Sequence, residues 1–151
     1  MPEIALAKVN PEAPFEAACL FACGLSAGLG AAMYAAAVRE GSTCVVFGAG
    51  MVGLGATDTW VARPGTVAGV AGKRETLAVI PRWLIQGRRI AGSSFGGVRG
   101  RDKVPELVDR YLAGEIDVDA FISHRIALED VNHAFALMEA QDGIRSVIQF
   151  G

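Results

Sequence analysis

Residues 42–55 read Ser42-Thr-Cys-Val-Val-Phe-Gly-Ala-Gly-Met-Val-Gly-Leu-Gly55, and their reading decides the fold. An apolar, β-prone run from Cys44 to Phe47 feeds into Gly48-Ala49-Gly50-Met51-Val52-Gly53, a G-x-G-x-x-G. Gly48 permits the tight strand-to-helix turn, and Gly50 lets the backbone approach a pyrophosphate. Gly53 lets the following helix pack closely on the strand. The start of that helix adds free N–H groups and partial positive charge for phosphates. The same pattern also arises as a glycine-rich packing turn that holds no ligand, so its flanks matter. A complete dinucleotide half places an acid about 20 residues on, at the end of the next strand, for the ribose hydroxyls. Here that position is Lys73, followed by Arg74, and Glu75 lies beyond a different strand.

The rest of the chain is globular in composition. Its 151 residues are 52% hydrophobic and 20% charged, enough for one domain with a real core. A net charge of −2 gives no electrostatic footprint for nucleic acid. Cys19, Cys23 and Cys44 form no C-x-x-C, which argues against a disulfide framework or a zinc knuckle. The expected compartment is cytoplasmic, and no basic-then-apolar leader opens the sequence. Residues 17–38 carry no charge, and Gly24-x-x-x-Gly28 matches a membrane helix-pairing motif. Alanine and glycine dilute the apolar drive for insertion, so a buried Ala-rich helix is expected, not a membrane span.

Periodicity sets the elements. Pro14 to Cys23 starts a helix that Gly24 interrupts, and Ser26 is expected to cap a second helix running to about Val38. Cys44–Phe47 reads as a buried strand and Met51 to about Val61 as a short helix. Thr66–Val70 reads as a second strand. Glu75–Gln86 is a short or broken helix around Pro81, Arg89–Ser94 a strand, and Phe95-Gly96-Gly97 a loop. Val104–Leu112 places Val104, Leu107, Val108, Tyr111 and Leu112 on one helical face. Phe121–Ala127 is a strand, and a helix from Leu128 through Glu139 should turn Val131, Phe135 and Met138 inward. Ser146–Phe150 alternates as a terminal strand. The fold class is α/β: a partial Rossmann-like coenzyme domain, with a shortened parallel sheet and helices on its faces.

Several segments resemble the zinc-dependent medium-chain alcohol dehydrogenases, on the glutathione-dependent formaldehyde dehydrogenase side. They are Ala7-Lys-Val-Asn-Pro-Glu-Ala-Pro14, Cys19-Leu-Phe-Ala-Cys-Gly24 and Gly41-Ser-Thr-Cys-Val-Val-Phe-Gly48. Phe95-Gly-Gly97, Val104-Pro-Glu-Leu-Val108, Ile122-Ser-His124 and Gly143-Ile-Arg-Ser146 follow in the same order. The resemblance implies hydride transfer from an alcohol to NAD with zinc as Lewis acid. It implies Gly48, Gly50, Met51, Val52 and Gly53 at the pyrophosphate, with Val52 also near the nicotinamide. It places Val70, Ser93 and Phe95 around the nicotinamide and its carboxamide, and Arg145 on the pyrophosphate. Cys23 matches a cysteine ligand of the catalytic zinc; read alone, it is a small buried thiol sharing a helix face with Cys19. Arg145 read alone is a solvated arginine at a strand start. Ala27 stands where many relatives have a threonine near the nicotinamide. His124 matches a family histidine that does not bind metal, and His133 reads as a surface residue.

Two departures qualify the resemblance. The family's second cysteine, its His-Glu pair and its four-cysteine structural zinc lobe are absent, and one thiolate does not supply the three protein ligands of a catalytic zinc. On the order of seventy residues are missing between Gly53 and Thr66, including the strand that ends in the ribose acid. The division implied by the resemblance is 1–40 as remnant catalytic domain and interdomain helix, and 41–151 as shortened nucleotide-binding domain with a C-terminal return segment. The expected protein is a fragment of an alcohol dehydrogenase, inactive alone. With the ribose acid gone, NAD and NADP both stay open. The alternative is a non-catalytic module that dimerises through the Arg88–Gly92 edge.

Overall fold

The computed structural model describes residues 2–39, 46, 48, 50–57, 65–68, 73–86 and 90–150. In chain order the regular elements are α1 (Phe15–Ala18), α2 (Gly24–Gly30), α3 (Met51–Thr57), β1 (Gly65–Val67), α4 (Pro81–Ile85) and β2 (Ile90–Gly92). They are followed by α5 (Gly100–Leu112), β3 (Ile122–Ala127), α6 (Val131–Glu139) and β4 (Arg145–Gln149). Strand β1 pairs β2, and β3 pairs β4, both in parallel. Helices stand between the paired strands in sequence, as parallel pairing requires. The α/β reading therefore holds, with a short parallel sheet. The expected strand at Cys44–Phe47 lies outside the described residues except for Val46, and Val61 lies outside them too.

Contacts divide the chain into two compact units, Met1–Ser26 with Arg99–Gly151, and Ala27–Val98. These units are defined by packing, whereas the division near residue 40 was one of descent.

The first unit is built on α1, α5 and the β3–β4 pair. Pro14 precedes α1, and its carbonyl accepts from the backbone N–H groups of Ala17 and Ala18 at 3.1 and 2.8 Å. Helix α1 is fastened to both strands by one carboxylate. Glu16 accepts from Arg125 Nε and Nη2 at 2.9 and 3.2 Å, and from Gln149 Nε2 at 2.9 Å. Leu107 and Val108 on α5 are fully buried, as are Phe21, Leu25 and Val118. Each such side chain contributes roughly 1.5–3 kcal/mol relative to exposure. The Phe21 and Tyr111 rings lie 6.4 Å apart at 54°, a tilted aromatic pair.

Three expectations in this unit are corrected. The chain breaks at Cys23 (φ −149°, ψ −88°), one residue before Gly24, which opens α2. Ser26 is no cap: it sits fully buried inside α2, and its hydroxyl donates to the Phe21 carbonyl at 2.6 Å across the break. Outside this unit, α2 passes into one π-helical stretch, Ala31–Ala35, and the helix ends short of Val38. The third correction is α6, which buries none of its residues. Phe135 is 56% and Met138 65% exposed, and Val131 is half-buried. Its apolar face has no apolar surface to meet among the described residues, and periodicity alone does not supply one.

Helix α5 begins at Gly100, four residues earlier than expected, and contains Pro105. The proline removes one ladder bond, opposite the carbonyl of the exposed Arg101. Pro81 likewise starts α4 at its first position and does not break it. Ile80 before it is extended, as a residue before proline prefers.

The second unit contains the end of α2, α3, β1, α4 and β2. Leu29, Ala31, Ala32, Met51 and Val98 are buried in it. Among the described residues, no single helix is long and apolar enough to cross a membrane. The stretches Phe15–Ala22 and Gly24–Ala35 pass that test only as a pair, and they are bent by 62°.

Candidate functional site

The glycine turn has the geometry its residue types suggest. Gly48 lies at φ +94°, in the left-handed region where a side chain is strained. A methyl group at Gly53 would overlap the Gly48 carbonyl oxygen and stand 3.0 Å from its carbon. The third glycine is thus what lets α3 close onto the turn. At Gly50 the space is open: an added methyl meets nothing within 4 Å. Gly48 and Gly50 are exposed, Met51 is buried, and Val52 is half-buried at the start of α3.

The Ser93–Gly97 stretch lies in the same unit. Phe95 (φ +51°), Gly96 (+67°) and Gly97 (+70°) form three successive left-handed residues. For phenylalanine this conformation is an outlier of the kind that persists only where its surroundings hold it. The Ser93 hydroxyl is buried and has no hydrogen-bond partner among the described residues. Buried hydroxyls are normally satisfied, so this one has spare capacity. Val70 lies outside the described residues.

Arg145 and Cys23 belong to the other unit. Arg145 is the exposed first residue of β4, in register with Ile122 of β3. Cys23 is exposed at the helix break, which corrects the buried-thiol alternative. The Cys19 thiol donates to the Glu16 carbonyl at 3.3 Å, and burial pushes its pKa up, away from the thiolate. Among the described residues no three His, Cys, Asp or Glu side chains converge as a metal site. His124 Nε2 stands 3.3 Å from the Asp142 carbonyl oxygen, and the Ser123 hydroxyl accepts from the Ile144 N–H at 2.7 Å. These bonds fix the turn before β4 and give His124 a structural place. His133 is exposed on α6.

Sequence reading missed Gly28 and Gly30. A methyl at Gly28 would overlap the Val52 carbonyl oxygen and stand 3.0 Å from both Ala56 N and Gly55 Cα. A methyl at Gly30 would overlap Val98 Cγ2 and stand 2.7 Å from the Gly96 carbonyl oxygen. The available signal was the small-residue spacing in residues 24–30. It marks close backbone approach, which here is met inside the protein.

Comparisons with known proteins agree with this architecture. No protein-family profile matches the chain. Alcohol dehydrogenase class-3 of Myxine glutinosa is 31% identical over 220 aligned positions, covering 97% of this chain and 58% of the relative. The class-3 enzyme of Cereibacter sphaeroides is 30% identical, covering 99% and 61%. S-(hydroxymethyl)glutathione dehydrogenase of Escherichia coli O1:K1 is 29% identical, covering 98% and 60%. The benzyl alcohol dehydrogenase of Acinetobacter calcoaceticus superposes with a TM-score of 0.84 at 19% identity, over 96% of this chain and 59% of that one. An alcohol dehydrogenase zinc-binding domain protein of Burkholderia ambifaria gives 0.81 at 20% identity.

The fold is therefore that of the zinc alcohol dehydrogenases, Rossmann-like in its coenzyme part. Within that class, the chain is similar to the alcohol dehydrogenase class-3 and S-(hydroxymethyl)glutathione dehydrogenase proteins. It spans about three fifths of their length. The match to the Myxine protein runs over 220 positions against 151 residues here, so at least 69 of those positions have no counterpart.

Proposed function

We propose that this chain is a coenzyme-binding remnant of a zinc-type alcohol dehydrogenase that binds NAD or NADP and does not turn over an alcohol alone. The observation that carries the reading is the turn at Gly48–Gly53. Gly48 is required by its left-handed backbone and Gly53 by the protein's own packing, while the middle glycine, Gly50, faces open space with no such requirement. Gly48, Gly50, Met51, Val52 and Gly53 would hold the pyrophosphate side. Ser93 and Phe95, with Val70, would meet the nicotinamide, where the spare Ser93 hydroxyl suits a carboxamide. Arg145 matches the family's pyrophosphate arginine by resemblance alone, and its guanidinium is suited to a charge-assisted contact with a phosphate. NAD supplies the hydride acceptor when bound; this chain's residues bind and orient it.

Zinc fits less well. A catalytic zinc needs three protein ligands, and the described residues offer Cys23 without partners. The chain by itself has no complete zinc site among those residues, and no step is assigned to the metal. Under this reading, residues 1–40 descend from the catalytic domain and interdomain helix, and residues 41–151 from the nucleotide-binding domain. An alcohol would be the substrate of the whole enzyme, and the compartment would be cytoplasmic.

Calorimetric titration with NAD, run beside a turnover assay with a primary alcohol, NAD and zinc, tests the proposal. Coenzyme binding without turnover is the expected result. Turnover overturns the inactivity, and absence of binding overturns the site.

A second reading, a dimerising module, has its own support. Leu77, Ile80, Trp83, Leu84, Ile85 and Ile90 are all exposed on α4, its approach and the adjacent strand β2. An apolar run of this size beside a strand edge suits a second copy. A strictly monomeric sedimentation mass at high concentration would sink this reading.

A further inference from the structure

We infer that Gly28 and Gly30 make the Ala27–Ala31 segment a spacer that sets the distance between the two halves of the dinucleotide site. The inference rests on the coenzyme-binding reading and names positioning residues for it. Residues two apart on a helix are rotated by about 200° and face opposite sides. Gly28 accordingly presses on α3, at the carbonyl of Val52. Gly30 presses on the turn that follows Phe95, at Gly96 and Val98. The contact with the turn is reciprocal. A methyl at Gly96 would lie 2.6 Å from Gly30 Cα and 2.7 Å from both Ala27 O and Ala31 N.

One helical segment is thus clasped from both sides, by α3 backbone at Gly28 and by Gly96 backbone and the Val98 side chain at Gly30. On one side is the helix that carries Met51, Val52 and Gly53; on the other is the turn that carries Ser93 and Phe95. The thickness of a bare helix fixes their separation. A methyl on either face widens the gap by about 1 Å, because backbone atoms, joined at Gly30 by Val98, block it and close-packed interiors leave no slack. A dinucleotide bridging both sites gains affinity from joining its halves, and that gain depends on matched spacing. Each half-ligand taken separately does not sense the spacing.

The test uses the full chain and its Gly28→Ala and Gly30→Ala variants, titrated calorimetrically with NAD, ADP-ribose and nicotinamide mononucleotide. Both variants should keep the native far-ultraviolet circular dichroism. They should bind each half-ligand within about twofold of the unsubstituted chain and bind NAD about tenfold or more weakly. NAD binding at unchanged affinity overturns the spacer. So does a loss of half-ligand binding equal to the loss for NAD, which marks simple local damage. If Gly30→Ala does not fold, Val98→Ala perturbs the same contact by deletion, with the same expected split between NAD and its halves. If the unsubstituted chain binds neither NAD nor ADP-ribose, the coenzyme site itself falls and the spacer falls with it.

Discussion

Alanine at Gly50 and at Gly53 should separate room for a ligand from the protein's own packing. At Gly53 the new methyl overlaps the Gly48 carbonyl oxygen, with the Gly48 carbon at 3.0 Å and Val46 Cγ1 at 3.3 Å. The obstructing atoms are mostly backbone, so the turn must shift by about 1 Å. Such overpacking costs about 1–3 kcal/mol. Alanine in place of glycine inside α3 returns roughly 1 kcal/mol of helix propensity. The net loss is about 0–2 kcal/mol, a fall of no more than about 8 °C in Tm for a chain of this size. At Gly50 the methyl meets nothing within 4 Å, so stability should stay within about 0.5 kcal/mol. Both variants should nevertheless bind NAD at least about tenfold more weakly, the first because the turn is displaced and the second because the methyl occupies the approach to it. Thermal unfolding followed by circular dichroism, with calorimetric NAD titration, reads both quantities. Gly50→Ala binding NAD as tightly as the unsubstituted chain would refute the ligand reading of that open space. A larger loss of stability at Gly50 than at Gly53 would refute the packing account.

Two further expectations concern the first unit. Ser26→Ala removes the hydroxyl that bridges the helix break and leaves the Phe21 carbonyl one bond short in a buried site, at a cost of about 1–3 kcal/mol. Urea denaturation should show it as a lower midpoint with unchanged slope; an unchanged midpoint would mean the bond is dispensable. The hydrogen bonds from Arg125 hold the Glu16 carboxyl below its ordinary value, with Gln149 adding to the effect. The group binds fewer protons folded than unfolded, so its stabilisation is present above the unfolded carboxylate value and lost as pH falls through the folded one. Arg125→Met should bring the Glu16 titration, followed by carboxyl NMR, back toward the ordinary range and flatten the acid limb of stability. An unmoved titration would count against the ion pair.

Much of the element order was legible because it depends on local signals. Apolar periodicity placed α5, β3 and β4, and Pro-Gly punctuation bracketed β1. What misled was any inference that needed a partner from elsewhere in the chain. The apolar stripe of α6 was legible, but nothing local says whether a surface exists to cover it, and Phe135 and Met138 face solvent. Ser26 fits the cap pattern before an apolar run. Its true role depends on a break three residues earlier, at Cys23, that helix propensity does not encode. The candidate site divided in the same way. Gly48, Gly50 and Gly53 are readable from spacing, whereas Gly28 reads only as half of the Gly24-x-x-x-Gly28 membrane motif and Gly30 carries no motif of its own.

By itself, the sequence determined the glycine turn, the α/β character and the resemblance to zinc alcohol dehydrogenases. Each rests on residue identity at short spacing, where chemistry and backbone freedom act without distant partners. Only the tertiary structure decided which glycines are held by packing, as Gly53 is, and which are not, as Gly50 is not. It also decided that α2 is pressed between α3 and the Phe95 turn, and that Phe135 and Met138 of α6 are exposed among the described residues. Those outcomes depend on which backbones meet across long stretches of chain.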